Sequence, residues 1–134
     1  MSGNPERGGP RTAALRRASG YAPALVYALF LLWLGSRSDV PSPGVRLPLD
    51  KLAHFVLYGV LGWLAAVGWL KSGQWPAAAL VVTAAALCGA VDEIHQRSVP
   101  GRSAELADWV VDVVAVVVAF QAARRRGVPT GKDA

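Results

Sequence analysis

Four long apolar stretches dominate this sequence of 134 residues and limit the folds open to it. They cover residues 21–34, 52–70, 76–91 and 106–123, which gives lengths of 14, 19, 16 and 18 residues. A membrane-spanning helix needs about 17–25 mainly apolar residues. The helices of a soluble bundle would instead show polar residues at every third or fourth position, which form a polar face. Residues 77–90 hold only Thr83 and Cys88 as polar side chains. The stretches of 14 and 16 residues are short for a membrane span, but residues 18–20 and part of 89–94 can complete them. The pattern therefore predicts an all-α membrane protein with a bundle of four transmembrane helices.

Two basic tails flank the apolar stretches. Residues 1–20 carry four arginines among glycine and proline and show no apolar period, so this tail is predicted to be disordered. Residues 124–134 form the second tail, and residues 21–123 form the predicted transmembrane domain. The first apolar stretch also has the length of a signal-peptide core, but no clear small-residue cleavage site follows it. An uncleaved membrane anchor is therefore the favoured interpretation.

The distribution of basic residues predicts the orientation of the four spans. Nine of the 14 lysines and arginines lie in the two tails and the short link after the second span, all on one side of a four-span arrangement. Only two of the nine acidic residues share that side. Because basic residues favour the cytoplasmic side, both termini are predicted to be cytoplasmic. The net charge of +5 then reflects contact with anionic lipid, and no nucleic-acid-binding pattern is present.

The start of the second span carries a polar stripe. Asp50, His54 and Tyr58 are spaced by four residues, which places them on one helical face next to Lys51. Asp50 is also well placed to cap the helix amino terminus. In a four-span arrangement this stripe lies on the external side, together with the link between the third and fourth spans.

The link between the third and fourth spans, together with the span ends beside it, is unusually acidic. Asp92 and Glu93 fall at the carboxyl end of the third span, where the helix dipole disfavours negative charge, and Gln96 follows one turn later. Pro100 and Gly101 then turn the chain, so that Arg102 is predicted to fold over the acids.

The fourth span begins with a further acidic pair, Asp108 and Asp112, on one helical face. Asp112 is predicted to lie inside the membrane, where an unpaired carboxylate costs about 2.5–3.5 kcal/mol. It is therefore expected to be protonated, or paired with Arg102, His54 or Lys51.

Taken in order, these polar motifs resemble those of the VanZ-like membrane protein family. The matching motifs are Asp50-Lys51-x-x-His54-Phe55-x-x-Tyr58, Asp92-Glu93-x-x-Gln96, Pro100-Gly101-Arg102 and Asp108-x-x-x-Asp112. The resemblance covers residues 35–119 and implies a small multi-pass protein of the bacterial cytoplasmic membrane. The family is named for a member that lowers susceptibility to the glycopeptide teicoplanin. One departure is Ala115, where the family often has glycine, so packing of the last helix is expected to differ slightly.

Three hypotheses for function remain open. The first is a binding protein whose external polar pocket recognises a lipid-linked or glycopeptide-like envelope molecule. The second is a membrane enzyme acting on a lipid-linked precursor, with Glu93 or Asp112 as general base, or with a metal held by His54, Glu93 and His95. The third is a structural or partner-binding protein whose charges only stabilise the fold.

Binding is the favoured hypothesis, because the sequence has no Gly-x-Ser-x-Gly, phosphate-loop or His-Glu-x-x-His motif. Histidine and carboxylates suit zinc, but their spacing matches no established metal motif, so neither a metal nor a cofactor is predicted. Membrane lipids are the expected partners, and small-residue pairs such as Gly62 and Ala66 allow self-association without requiring it.

Overall fold

The computed structural model describes residues 9–37, 48–101 and 104–127. In these ranges the chain is helical throughout, with no β-strand, and forms α1 (Pro10–Ser19), α2 (Ala22–Gly35), α3 (Pro48–Lys71), α4 (Ala78–Gln96) and α5 (Leu106–Arg126). Each apolar stretch of the sequence lies almost entirely within one of the helices α2 to α5. The prediction of an all-α fold is therefore confirmed.

Three of these helices, α3, α4 and α5, are long and apolar enough to cross a membrane. At 1.5 Å per residue, even α4 with its 19 residues rises about 29 Å, close to the thickness of the hydrocarbon core. The protein is thus a membrane protein with at least three candidate spans. The 14 residues of α2 rise only about 21 Å, and α2 meets the same criterion only when joined to α1, from which it is bent by 48°.

Helix α1 differs from the disordered tail expected over residues 1–20. Pro10 occupies its first turn, where the missing N–H of proline costs nothing, and the Thr12 hydroxyl donates to the Gly9 carbonyl at 2.6 Å. Arg16 and Arg17 lie in the last turn, where positive charge is favoured by the helix dipole. None of the side chains of α1 is buried, so local preferences rather than core packing favour this helix.

Helices α3 and α5 run parallel and form the closest pair in the bundle. Their first turns meet at Lys51 and Asp108, and their later turns meet at Trp69 and Phe120. Between these points the backbones nearly touch, because a Cβ atom at Gly62 would lie 2.5 Å from the Val116 carbonyl oxygen. The close approach expected from the small residues of α3 is therefore present.

The other two helices run antiparallel to this pair. A turn at residues 72–77 reverses the chain into α4, and the Trp69 indole N–H donates across it to the Pro76 carbonyl at 2.9 Å. The carboxyl end of α4 consequently returns to the amino ends of α3 and α5, where Asp92 contacts Tyr58.

Helix α2 and the residue pair before it reach from the carboxyl-terminal part of α3 to the carboxyl-terminal part of α4. At one end, a Cβ atom at Gly68 of α3 would lie 2.9 Å from the Gly20 carbonyl oxygen. At the other end, a side chain at Gly35 would collide with the Asp92 carboxylate. The end of α2 therefore lies beside the end of α4.

The interior is layered along the bundle axis. An apolar layer at mid-depth and a second one below it fill the bundle, and each draws side chains from α3, α4 and α5. Large apolar side chains such as Leu29, Leu80 and Val118 point outward and are more than half exposed, as expected for a surface in contact with lipid. Above the mid-depth layer the interior becomes polar, and this third layer is the candidate site.

Candidate functional site

Helix α3 contributes a stripe of polar side chains to the polar layer. Lys51, His54 and Tyr58 are three and four residues apart, so they share the face that continues down to Gly62 and α5. Asp50 lies at the exposed rim of this layer. It does not occupy the N-cap position of α3, because the helix begins at Pro48, which makes Asp50 the third helical residue, in the first turn. There its charge still suits the helix dipole.

Helix α5 supplies the acids that pair with this stripe. The Lys51 Nζ donates to Asp108 Oδ1 at 2.7 Å, and His54 Nδ1 lies 3.0 Å from Asp112 Oδ1. Asp108 is 3% exposed and Asp112 is fully buried. Both pairs are charge-assisted when ionised, and the loss of one partner is costly where the other is a buried acid.

Helix α4 closes the layer with its last turns. Tyr58 donates its hydroxyl to Asp92 Oδ2 at 3.1 Å, and the Gln96 amide donates to the same oxygen at 3.0 Å. Gly89 allows α4 to pack this close to α5, because a Cβ atom at Gly89 would lie only 3.2 Å from Asp112 Oδ2. One carboxylate of α4 is therefore held by neutral hydrogen-bond donors from two helices.

Glu93 is the exception in this network. Its side chain is 6% exposed, yet neither carboxylate oxygen has a hydrogen-bond partner among the described residues. The same holds for Asp112 Oδ2. Buried acceptors without partners are rare in folded proteins, and each one calls for an explanation. Within the described part of the chain, these three oxygens are left without a hydrogen-bond donor.

A small cavity opens beside Glu93, between α4 and α5. It measures about 170 Å³, and its walls include Ala90, Ile94 and Trp109, with Arg97 and Glu105 at its edge. The Trp109 indole N–H donates to the Ala86 carbonyl at 3.1 Å, which fixes one wall. Glu93 is one of the residues that line this cavity, and its two buried carboxylate oxygens lie behind mostly apolar walls.

The structure brings most of the predicted polar residues into one layer. Those with a contact in it are Lys51, His54, Tyr58, Asp92, Glu93, Gln96, Asp108 and Asp112. Asp50 lies at its exposed rim, and Arg102 lies outside the described residues, so its proposed fold over the acids stays a prediction. Of the described partners proposed for Asp112, His54 lies within hydrogen-bond distance, whereas Lys51 contacts Asp108.

Two contributors were not singled out from the sequence. Glu105 lies 3.7 Å from Lys51 Nζ and adds a second, more exposed acid to that lysine. Glu105 precedes Asp108 by three residues, and this helical spacing could have indicated its role from the sequence. No sequence pattern could have indicated Gly89, because its role depends on the distance between α4 and α5.

Two groups of side chains have ligand atoms close enough together for one metal ion. The first is Asp50, His54 and Asp108; the second is His54, Glu93 and Asp112. His95, predicted from the sequence as a metal ligand beside His54 and Glu93, is exposed and belongs to neither group among the described residues.

Together, the helices and this layer define a class: a small multi-pass α-helical membrane protein with a buried, acid-rich site at one end of its bundle. The VanZ/LLP1 family model matches residues 15–125, which include α2, α3, α4, all of α5 but its last residue, and every residue of the polar layer. The chain therefore belongs to the VanZ family, as its motifs indicated. Comparison with curated proteins and with solved structures finds no significant match.

Proposed function

We propose that this protein binds a polar envelope ligand, lipid-linked or glycopeptide-like, at the polar layer, and thereby contributes to glycopeptide resistance of the teicoplanin type. The observation that carries this proposal is the Glu93 carboxylate, which is buried, without a hydrogen-bond partner among the described residues, and beside a cavity. A purely structural network would pair its acids, as the layer does for Asp108. A buried, unsatisfied carboxylate of a residue that lines a cavity is instead suited to receive donors from a ligand.

The proposed setting is the bacterial cytoplasmic membrane, with four spans and both termini in the cytoplasm. Helix α2 supports the fourth span, because its two ends lie against opposite ends of the bundle. The three arginines in the last turn of α5 lie at the end opposite the polar layer, which favours a cytoplasmic position for that end. The polar layer then lies at the external end, where envelope ligands are found.

An apolar groove supports a lipid-linked ligand. It has a volume of about 400 Å³ and lies between α2, α3 and α4, with Leu25, Leu61, Leu80 and Cys88 among its walls. Cys88 is one helical turn from Asp92, so the groove ends next to the polar layer. An acyl or polyprenyl chain in this groove would place an attached polar group near the external end of α4.

Cysteine labelling on either side of α2 tests the four-span topology. In a Cys88→Ala background, Ser36→Cys and Ser98→Cys should react with a membrane-impermeant thiol reagent in intact cells. Ser19→Cys and Lys71→Cys should react only after lysis. All four positions are exposed in the structure. Labelling of Ser19→Cys and Ser36→Cys on the same side would show that α2 does not cross, and an inverted pattern would place the polar layer in the cytoplasm.

The replacement Glu93→Gln tests the proposed function, because it removes the charge with almost no change in shape. Expression of the native protein in a teicoplanin-susceptible bacterium should raise the inhibitory concentration, and Glu93→Gln should return it to the level of the empty vector. The matched control is His95→Gln, an exposed position on the same turn of α4, which should behave like the native protein. Membrane abundance is measured in parallel. Full resistance with Glu93→Gln, or loss of resistance only in step with abundance, would contradict the proposal and favour a structural role.

A further inference from the structure

We propose that His54, Glu93 and Asp112 form a binding site for a divalent metal ion of the zinc class. One ligand atom from each residue lies within 4.8 Å of the other two. The three residues come from α3, α4 and α5, so the ion would join all three helices that carry the polar layer. The inference deepens the proposed function, since it names what Glu93 meets, but its test needs no envelope ligand.

Three buried carboxylate oxygens of this group lack a hydrogen-bond partner among the described residues. These are Glu93 Oε1, Glu93 Oε2 and Asp112 Oδ2. They belong to two side chains that are at least nine-tenths buried, at 6% and 0% exposure. Two carboxylates held this close in apolar surroundings repel each other and lose their hydration. A cation between them removes both penalties.

The group combines one imidazole with two carboxylates, a ligand set that suits zinc. Zinc binds imidazole nitrogen and carboxylate oxygen at about 2.0–2.2 Å, and zinc sites in enzymes commonly use three protein ligands with one position left open. Magnesium and calcium prefer sites made only of oxygen, with retained water in the case of magnesium. The imidazole of His54 therefore favours zinc or a similar transition metal over the alkaline-earth ions.

The geometry requires only a small adjustment. Two atoms bound to one tetrahedral zinc ion lie about 3.4 Å apart, given the bond lengths above. The distance of 3.0 Å between His54 Nδ1 and Asp112 Oδ1 is already in this range. The remaining ligand atoms, within 4.8 Å, need to move closer by at most about 1.4 Å. Metal binding would replace any proton shared within the group and release it to solvent.

The second group with metal-binding potential is a weaker candidate. It combines His54 with Asp50 and Asp108, but Asp50 is exposed and Asp108 Oδ1 already accepts a hydrogen bond from Lys51 at 2.7 Å. An ion there would have to compete with water and with the lysine. His54 can serve only one of the two groups, and the buried group offers the unsatisfied oxygens.

Metal analysis of the purified protein tests the inference directly. The protein is prepared in detergent with an affinity tag that contains no histidine, stripped with a chelator, incubated with zinc and desalted. We expect about one zinc ion per chain, retained in a large excess of magnesium. The variants Glu93→Gln and Asp112→Asn should lose the ion, whereas the exposed variants His95→Gln and Asp50→Asn should retain it.

Thermal unfolding followed by tryptophan fluorescence gives a second readout that does not depend on the variants. Zinc should raise the unfolding midpoint of the native protein, because an ion that binds only the folded state stabilises it, and magnesium should not. Absence of stoichiometric zinc and of a midpoint shift would overturn the inference. So would retention of zinc by both Glu93→Gln and Asp112→Asn, or its loss in His95→Gln. If zinc binds but Glu93→Gln leaves glycopeptide resistance intact, the metal site stands and the proposed function fails.

Discussion

Replacing Gly62 by alanine is expected to destabilise the folded protein by about 1–3 kcal/mol, the usual cost of forcing an extra methyl group into a closely packed interior. The new Cβ atom would lie 2.5 Å from the Val116 carbonyl oxygen and 2.8 Å from its Cα atom. Both atoms belong to the backbone of α5, so no side-chain rotation can relieve the contact. The two helices would have to separate, and the Lys51–Asp108 and His54–Asp112 distances would increase as a result.

Gly59→Ala is the matched control, one turn earlier on the same helix. A Cβ atom at Gly59 would meet nothing within 4 Å. Alanine there should leave stability unchanged or raise it by up to about 1 kcal/mol, because alanine favours the helix more than glycine does. Reversible unfolding in mixed detergent and SDS micelles measures both variants. Equal effects of the two replacements would show that α3 and α5 do not pack as described.

The second large effect is expected at the buried pair of His54 and Asp112. The single replacement His54→Leu leaves the Asp112 carboxylate fully buried without its partner, and breaking a buried charged pair costs about 3–5 kcal/mol. Adding Asp112→Leu removes the stranded charge, so the double variant should regain most of the lost stability. The same unfolding assay, run with a chelator present, measures this pair without any contribution from bound metal.

Lys51 and Glu105 provide the comparison pair for this experiment. They lie 3.7 Å apart, and the Glu105 side chain is 54% exposed. Exposed ion pairs contribute little to stability, so removing Glu105 should leave the unfolding free energy unchanged within error. If His54→Leu proved as harmless as Glu105→Gln, the layer would have to be more hydrated than its burial indicates.

The helices themselves were predictable because apolar length is a local property. Residues 52–70 and 106–123 contain enough apolar side chains to define a span without knowledge of any neighbour. Helix α1 was not predicted, because its stabilising features are a proline, a threonine hydroxyl and two arginines rather than an apolar face. The start of α3 at Pro48 was not predicted either: an amino-terminal cap at Asp50 would place the first helical residue at Lys51, three residues later.

The members of the candidate site were mostly predictable, whereas their pairing was not. Spacing placed His54 and Tyr58 on one face of α3, and the same rule placed Asp108 and Asp112 on one face of α5. Which acid meets which partner depends on how far α3 is shifted along α5. That register is fixed by the contact of Gly62 with Val116, and nothing in the linear sequence connects those two residues.

The position of the partners along the chain has a consequence for biosynthesis. Lys51, His54 and Tyr58 all lie on α3, and the acids that they contact, Asp108, Asp112 and Asp92, all lie on helices made later. Each of these acids is therefore synthesised after the residue that it contacts. The order of the helices along the chain places the polar stripe of α3 ahead of the acids that pack against it, so each of these acids can meet its partner as soon as its own helix packs.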